Sequence, residues 1–295
     1  MSVAPVLCIG SALWDVIAMA SRQMNIGDDI AGSIQRRPGG VALNIAVALA
    51  AHGVTPTLLS TIGADSDGDT LIALLAAQGV DCTHVLRSFD PTGSYLAIES
   101  PGGDLFGAIA DCAGLERAGD AVLAPATNGP LAPFSGEALV DGNLPVELLG
   151  RLHDLLPHAS LSLVPASPGK ADRMRRPIRR GHAAIYVNRG EAETICETAF
   201  GDSATAARAL VAMGARFALV TNSAAPASLA NAQHCVTCTP PQVNSISTTG
   251  AGDVVLAAHF AARQASPTPD SEAAMSAQLT AALTAAAAHI TKANA

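Results

Sequence analysis

Apolar segments of two lengths alternate along most of this chain, and no other feature constrains its fold as much. Strand-length runs are "PVLCIGSAL" (5–13), "TPTLLSTIG" (55–63), "SLSLVPA" (160–166), "AAIYVN" (183–188) and "RFALVTN" (216–222). Helix-length runs are "VALNIAVALAAHG" (41–53), "GDTLIALLAAQG" (68–79), "SATAARALVAMG" (203–214), the stretch after "GAGD" (250–253) and "MSAQLTAALTAAAAHITKA" (275–293). Gly53 and Gly79 sit where a helix would be closed by a left-handed residue. Strand followed by helix, repeated, predicts a parallel sheet covered on both faces. The fold class is therefore α/β, a three-layer α/β/α sandwich. In such sheets ligands bind where strand C-termini meet helix N-termini.

Two stretches break the alternation. "GSYLAIESPGGDLFGAIAD" (93–111) reads as a hairpin around the turn signal "SPGGD". With the chain after Asp15 it can build a small sheet beside the main one. Segment 113–137, rich in Gly, Pro and Ala, reads as a loop with a short strand.

Composition narrows the function classes. Hydrophobic residues are 49% and charged residues 14%, so the chain has ample apolar surface for a folded core. A net charge of −8 argues against a nucleic-acid surface. "RMRRPIRR" (173–180) holds five of the 17 basic residues and reads as a solvated loop before a strand. The N-terminus has no basic start or cleavage site, and no apolar run reaches the length of a membrane span. The expectation is a cytoplasmic protein with no membrane partner. Six scattered cysteines suggest reduced thiols, and "CVTC" (235–238) has metal-knuckle spacing without a second pair.

The local motifs each admit a bland reading. In "TTGAGD" (248–253) two glycines open a helix whose first N–H groups suit an anion. Asp253 is there either an ordinary first-turn acid or a reactive carboxylate. It is not a dinucleotide loop, because Val255 stands where the third glycine belongs, and the G-x-x-x-x-G-K-[ST] loop is absent. "PGGVALNIAVALA" (38–50) is a second glycine pair opening a helix, with Asn44 the polar residue of its first turn. It is a turn with a core helix, or a backbone that approaches a polyhydroxy ligand. In "VNRGEAE" (187–193) Asn188 and Glu191 form a capping box, or face phosphates and a magnesium water shell. "GADSDGD" (63–69) reads as a turn before a helix.

In this order, "GSALWD", "PGGVALNIA", "LLSTIGADSDGDTL", "VNRGEAE", "LVTN" and "TTGAGD" resemble the ribokinase family of PfkB-type carbohydrate and nucleoside kinases, over nearly the whole chain. Within it the pseudouridine kinases look most similar, through "NRGEAET", the hairpin, and Ser247 where other members carry an acid. The resemblance implies a single kinase domain over residues 1–295, with a lid formed by about 15–37 and 92–112. It implies Asp253 as base, of ordinary pKa, and Gly250, Ala251 and Gly252 as an anion hole. Asp15, Gly39, Gly40 and Asn44 would hold the acceptor. Asn188, Glu191, Thr221 and Thr248 would serve the nucleotide, with Glu191 organising metal through water. The implied cofactors are ATP and Mg²⁺, with room for a monovalent cation, and the implied partners are a nucleoside or sugar and a second copy of the chain through the lid.

Some positions depart from the family pattern. Leu43 replaces a frequent Arg, Ser223 and Pro226 replace two glycines of the "TNSAAPAS" loop (221–228), and an acid near "LVP" is missing. The implied reaction is phosphorylation of the primary 5′ hydroxyl of a ribosyl compound, pseudouridine first. The alternatives are a ribokinase-like sugar kinase and a catalytically impaired nucleoside- or sugar-binding homologue. Side chains near Thr92, Tyr95 and Ala108 are the expected seat of specificity.

Overall fold

The computed structural model describes residues 4–102, 105–243 and 250–292. Eight strands form the central sheet. Along the chain they are β1 (Val6–Ile9), β4 (Pro56–Leu59), β9 (Glu137–Asp141), β10 (Ser160–Val164), β11 (Ala184–Asn188), β12 (Phe217–Asn222), β13 (Ala225–Asn231) and β14 (Cys235–Cys238). Their spatial order is β14-β13-β12-β11-β10-β9-β1-β4. From β4 to β12 all neighbours are parallel, and β13 and β14 join antiparallel at one edge.

The period-2 alternation of each strand feeds two cores. Val6, Cys8, Tyr186, Phe217 and Leu219 face the helices Val41–Ala51, Ala251–Ala265 and Glu272–Lys292. Leu7, Ile9, Ile185, Val187, Ala218 and Val220 face the opposite layer, with Met174, Ile178, Ile195 and Leu210. Both faces are dry, which is why these strands read as continuous apolar runs.

A second sheet has the order β3-β2-β7-β8, from β2 (Leu13–Ala20), β3 (Gly32–Gly39), β7 (Ser94–Glu99) and β8 (Leu105–Asp111). It joins the expected hairpin to the chain around Asp15. β7 runs parallel to β2, and β8 antiparallel to β7.

Several expectations are corrected. "PVLCIGSAL" is not one strand: it ends at Ile9, and Leu13 begins a strand of the other sheet. "TPTLLSTIG" also divides, since β5 (Thr61–Gly63) pairs only with β6 (Leu86–Ser88). Segment 113–137 is not a loop. It holds the helices Ala113–Ala118, Gly119–Leu123 and Ala124–Thr127 and delivers the central strand β9. Its small residues hid three short elements, each under two turns.

The arginine cluster is helical over Pro168–Met174 and Arg175–Arg179, and much of it is spent internally. Arg175 donates to the carbonyls of Ile195 and Thr194 and pairs with Glu197, Arg173 donates to the carbonyl of Gly142, and Arg180 pairs with Asp154. The "CVTC" cysteines point to opposite faces: Cys235 packs on one core and Cys238 on the other, so one ion cannot bridge them. No helix among the described residues is long and apolar enough to cross a membrane.

Candidate active site

The sheet order reverses between β1 and β9. The chain goes outward from β1 to β4, then returns to β9 on the other side. At this switch point the loops leaving neighbouring strands part and open a crevice. Ser11 follows β1 and Asp141 ends β9, and the N-terminus of the Val41–Ala51 helix meets both.

The glycine pair is required by what lies against it. A Cβ on Gly39 would fall 2.2 Å from the Asp15 carboxyl carbon. Gly40 has φ +100, and a Cβ there would stand 2.6 Å from the Ser11 carbonyl oxygen. One turn on, Asn44 Nδ2 donates to Asp253 Oδ2 at 3.1 Å, across a separation of 209 residues.

Asp253 lies in the first turn of the Ala251–Ala265 helix, whose N-cap is Gly250 at φ 79. Among the described residues its carboxyl accepts from Asn44 and makes no cap bond to the helix start. The residue keeps some contact with solvent, but protein encloses its carboxyl. Desolvation raises its pKa to about 7; the Asn44 bond opposes this, and the charges of Asp141, Asp15 and Glu191 add to it. The expectation of an ordinary carboxylate is thereby corrected. A Cβ on Gly252 would meet nothing within 4 Å, so the space beside this turn is open. Thr248 and Ser247 lie outside the described residues.

Asp15 sits on β2, opposite Arg37 and Tyr95. Desolvation raises its pKa to about 6, against the lowering influence of Arg37, whose Nε stands 3.9 Å away. Tyr95 and Ala108 share the Asp15 face of the small sheet. Thr92 does not join them: its N–H and hydroxyl both donate to Asp65, the N-cap of the Ser66–Ala77 helix.

Asn188 and Glu191 form the full capping box, so the bland reading of that pair is realised. Glu191 is nevertheless 8% exposed, and burial lifts its pKa to about 7 while the Asn188 N–H opposes. Thr221 is the direct cross-strand partner of Asn188 at the same sheet edge. Its hydroxyl reaches the Val187 carbonyl only at 3.5 Å. The structure thus brings Asp15, Gly39, Gly40, Asn44 and Asp253 together near the switch point and sets Asn188 and Glu191 at the end of β11 and Thr221 on β12, two and three strands beyond β9.

Sequence reading missed Ser11, Asp141, Asn143 and Lys170. Asp141 is 0% exposed and accepts from Ser11 N, Ser11 Oγ and Ala42 N at 2.8, 2.7 and 3.2 Å. Lys170 Nζ donates to Asn143 Oδ1 at 2.7 Å, and Asn143 Nδ2 to Ser11 Oγ at 3.0 Å. The available signal was "LVDGN" (139–143), an acid ending an apolar run, as Asn188 ends another.

Fold and site together define a three-layer α/β protein with Asp15, Asn44 and Asp253 gathered near its switch point. The chain belongs to the pfkB family of carbohydrate kinases, whose model matches residues 4–294. That family is a class of phosphotransferases with hydroxyl acceptors. Pseudouridine kinase of Escherichia coli (strain K12) is 31% identical over 193 residues, 64% of this chain and 60% of that protein. The match therefore spans less than two thirds of that relative. Among solved structures, ribokinase from Thermotoga maritima superposes with a TM-score of 0.80 at 18% identity, covering 98% of this chain and 93% of that one. Arabidopsis thaliana ribokinase complexed with ribose and ATP gives a TM-score of 0.75 at 18% identity, with the same two coverages of 98% and 93%. The fold is ribokinase-like.

Proposed function

We propose that this protein is an ATP-dependent kinase that phosphorylates the primary 5′ hydroxyl of a ribosyl compound, with pseudouridine the leading acceptor and ribose-like sugars the next class. The observation that carries the reading is the Asn44–Asp253 hydrogen bond at the switch point. It sets a carboxyl of pKa about 7 beside a helix N-terminus with open space at Gly252. The similarity to a pseudouridine kinase supports the choice of acceptor.

The acceptor hydroxyl gives its proton to Asp253, its oxygen attacks the γ-phosphorus, and ADP leaves with the bridging electron pair. Little base strength is needed in a loose phosphoryl-transfer transition state, so orientation by Asn44 matters more than pKa. The N–H groups of Gly250, Ala251 and Gly252 face charge on the transferring group. Asp15, Gly39, Gly40 and Asn44 bind acceptor hydroxyls. Asn188, Glu191, Thr221 and Thr248 serve the phosphates of ATP.

Magnesium fits this chain only as an outer-sphere ion. Among the described residues no three His, Cys, Asp or Glu side chains gather into a metal cage. Glu191, buried and with its carboxyl accepting from the Asn188 N–H, suits a water of a phosphate-held ion. When bound, magnesium would neutralise phosphate charge. A change in rate on exchanging Na⁺ for K⁺ tests the monovalent cation.

The small sheet would be the lid. Its Asp15 face covers the acceptor and excludes water as a competing acceptor. Its other face exposes Ile34, Leu96 and Ile109 at 75, 40 and 69%, an apolar surface suited to the lid of a second copy. Six free thiols accord with a reducing cytoplasm. The deciding experiment is ADP release from ATP and Mg²⁺ across a panel of nucleosides and sugars. Turnover with pseudouridine above ribose supports the reading. Tight nucleoside binding without ATP binding would favour the impaired homologue that Ser223 and Pro226 suggest.

A further inference from the structure

The Val41–Ala51 helix carries Asn44, yet it has no cap of its own. Its N-cap is Gly40, which offers no side chain, and its first turn holds no acid. Four N–H groups at a helix start need partners. Val41 N donates to Ser11 Oγ at 2.9 Å, Ala42 N to Asp141 Oδ2 at 3.2 Å and Leu43 N to the Ser11 carbonyl at 3.2 Å. Only Asn44 N returns to its own segment, at the Gly40 carbonyl. Three successive donors are thus held by residues from the ends of two central strands.

The usual device is a serine or aspartate at the N-cap, which takes one such donor locally; Gly40, at φ +100 and against the Ser11 carbonyl, has no room for it. Instead Ser11 and a fully buried carboxylate hold these donors, and the groups that donate to Asp141 are all neutral. Burying such a charge is costly unless donors surround it. Asp141 has four: Ser11 N, Ser11 Oγ and Ala42 N on one oxygen, and Asn143 N at 2.8 Å on the other. Lys170 approaches only through Asn143. Gly10 yields the room, since a Cβ there would stand 2.2 Å from the Asp141 carboxyl carbon. What the arrangement provides, and a local cap would not, is a fixed register between the helix and the strand ends that floor the cleft.

We propose that Ser11 and Asp141 are positioning residues for the transfer reaction: they lock the first helical turn to β1 and β9 and so hold the Asn44 amide on the Asp253 carboxylate. The proposal rests on Asp253 being the base. It goes further by assigning that base's orientation to a buried pair outside the acceptor and nucleotide groups. The charged groups that act on Asp253 are Asp141, Asp15 and Glu191.

The test combines kinetics with a measurement that needs no turnover. Ser11→Ala removes the hydroxyl bridging Val41 N, Asn143 and Asp141 and leaves every charge in place. We expect kcat to fall by roughly fivefold or more, with KM for ATP unchanged, and Ser11→Ala/Asn44→Ala to be no slower than Asn44→Ala alone. Additive losses would overturn the proposal, because independent sites add. In parallel, the Asp253 carboxyl is titrated by ¹³C NMR, its signal identified from Asp253→Asn. In Ser11→Ala its pKa rises, since the lowering bond from Asn44 is loosened; an unmoved titration overturns the proposal. If Ser11→Ala does not fold, Asp141→Asn decides by sign. Loss of Asn44 placement raises the Asp253 pKa, and loss of a neighbouring charge alone lowers it. A wild-type protein with no kinase activity would refute the proposed function, while the titration would still decide the positioning.

Discussion

Asp253→Asn should slow turnover sharply and at the same time stabilise the protein, with a gain that depends on pH. The carboxyl goes from an ordinary 3.8 to about 7 in the folded state, chiefly through desolvation. A raised carboxyl pKa means that folding disfavours the ionised form. Below pH 4 both states are protonated, and the residue contributes nothing to the pH dependence. Between pH 4 and 7 the unfolded chain ionises first, and the penalty grows. Above pH 7 it is complete, about 4 kcal/mol for three units at 1.4 kcal/mol each. The residue retains some solvent contact, so roughly half of that, about 2 kcal/mol, is the working value. For a chain of this size that is about 4 °C in Tm. Asparagine removes the ionisation and keeps an oxygen for Asn44. Thermal unfolding of both proteins at pH 5 and pH 8, without nucleotide, measures the difference. The gain should be clearly larger at pH 8. An equal gain at both pH values, or a loss at pH 8, would refute the desolvated carboxylate and with it the cause assigned to the raised pKa. The same variant should lose on the order of 10² or more in kcat, the usual scale of a general base.

Other outcomes follow from the same geometry. The wild-type rate should fall about tenfold per pH unit below an apparent pKa near 7, because Asp253 must be ionised to accept a proton; a rate flat from pH 5 to 8 would exclude it as the base. Gly252→Ala should leave Tm nearly unchanged, since its Cβ meets nothing within 4 Å, yet lower kcat by obstructing the space kept for the phosphoryl group; full activity would remove the anion hole from that turn. Ser223 holds a left-handed φ of 52 in the β12–β13 turn, so Ser223→Gly should stabilise by about 1 kcal/mol, read as a higher urea midpoint at unchanged slope.

Much of this was legible because the site sits where the fold rule puts it. The glycine pairs and the acid of "GAGD" are local signals, readable from spacing. The bond between Asn44 and Asp253 is not local: it spans 209 residues and exists only because two helices meet over one sheet edge. The same holds for Asp141. In the sequence it ends an apolar run just after segment 113–137, whose short helices of Ala, Gly and Pro give no period to count. Once β9 is recognised as the strand beside β1, its terminal acid falls at the switch point, and its partner must be the helix start that crosses there. The glycines likewise change meaning. Gly39 and Gly40 were read as room for a ligand, and in the structure that room is taken by Asp15 and Ser11. Gly252 alone of the site glycines borders open space. A glycine whose absent side chain is replaced by protein testifies to packing. One whose absent side chain meets nothing leaves room for a ligand, and at Gly252 that room agrees with the phosphoryl transfer proposed beside the Ala251–Ala265 helix.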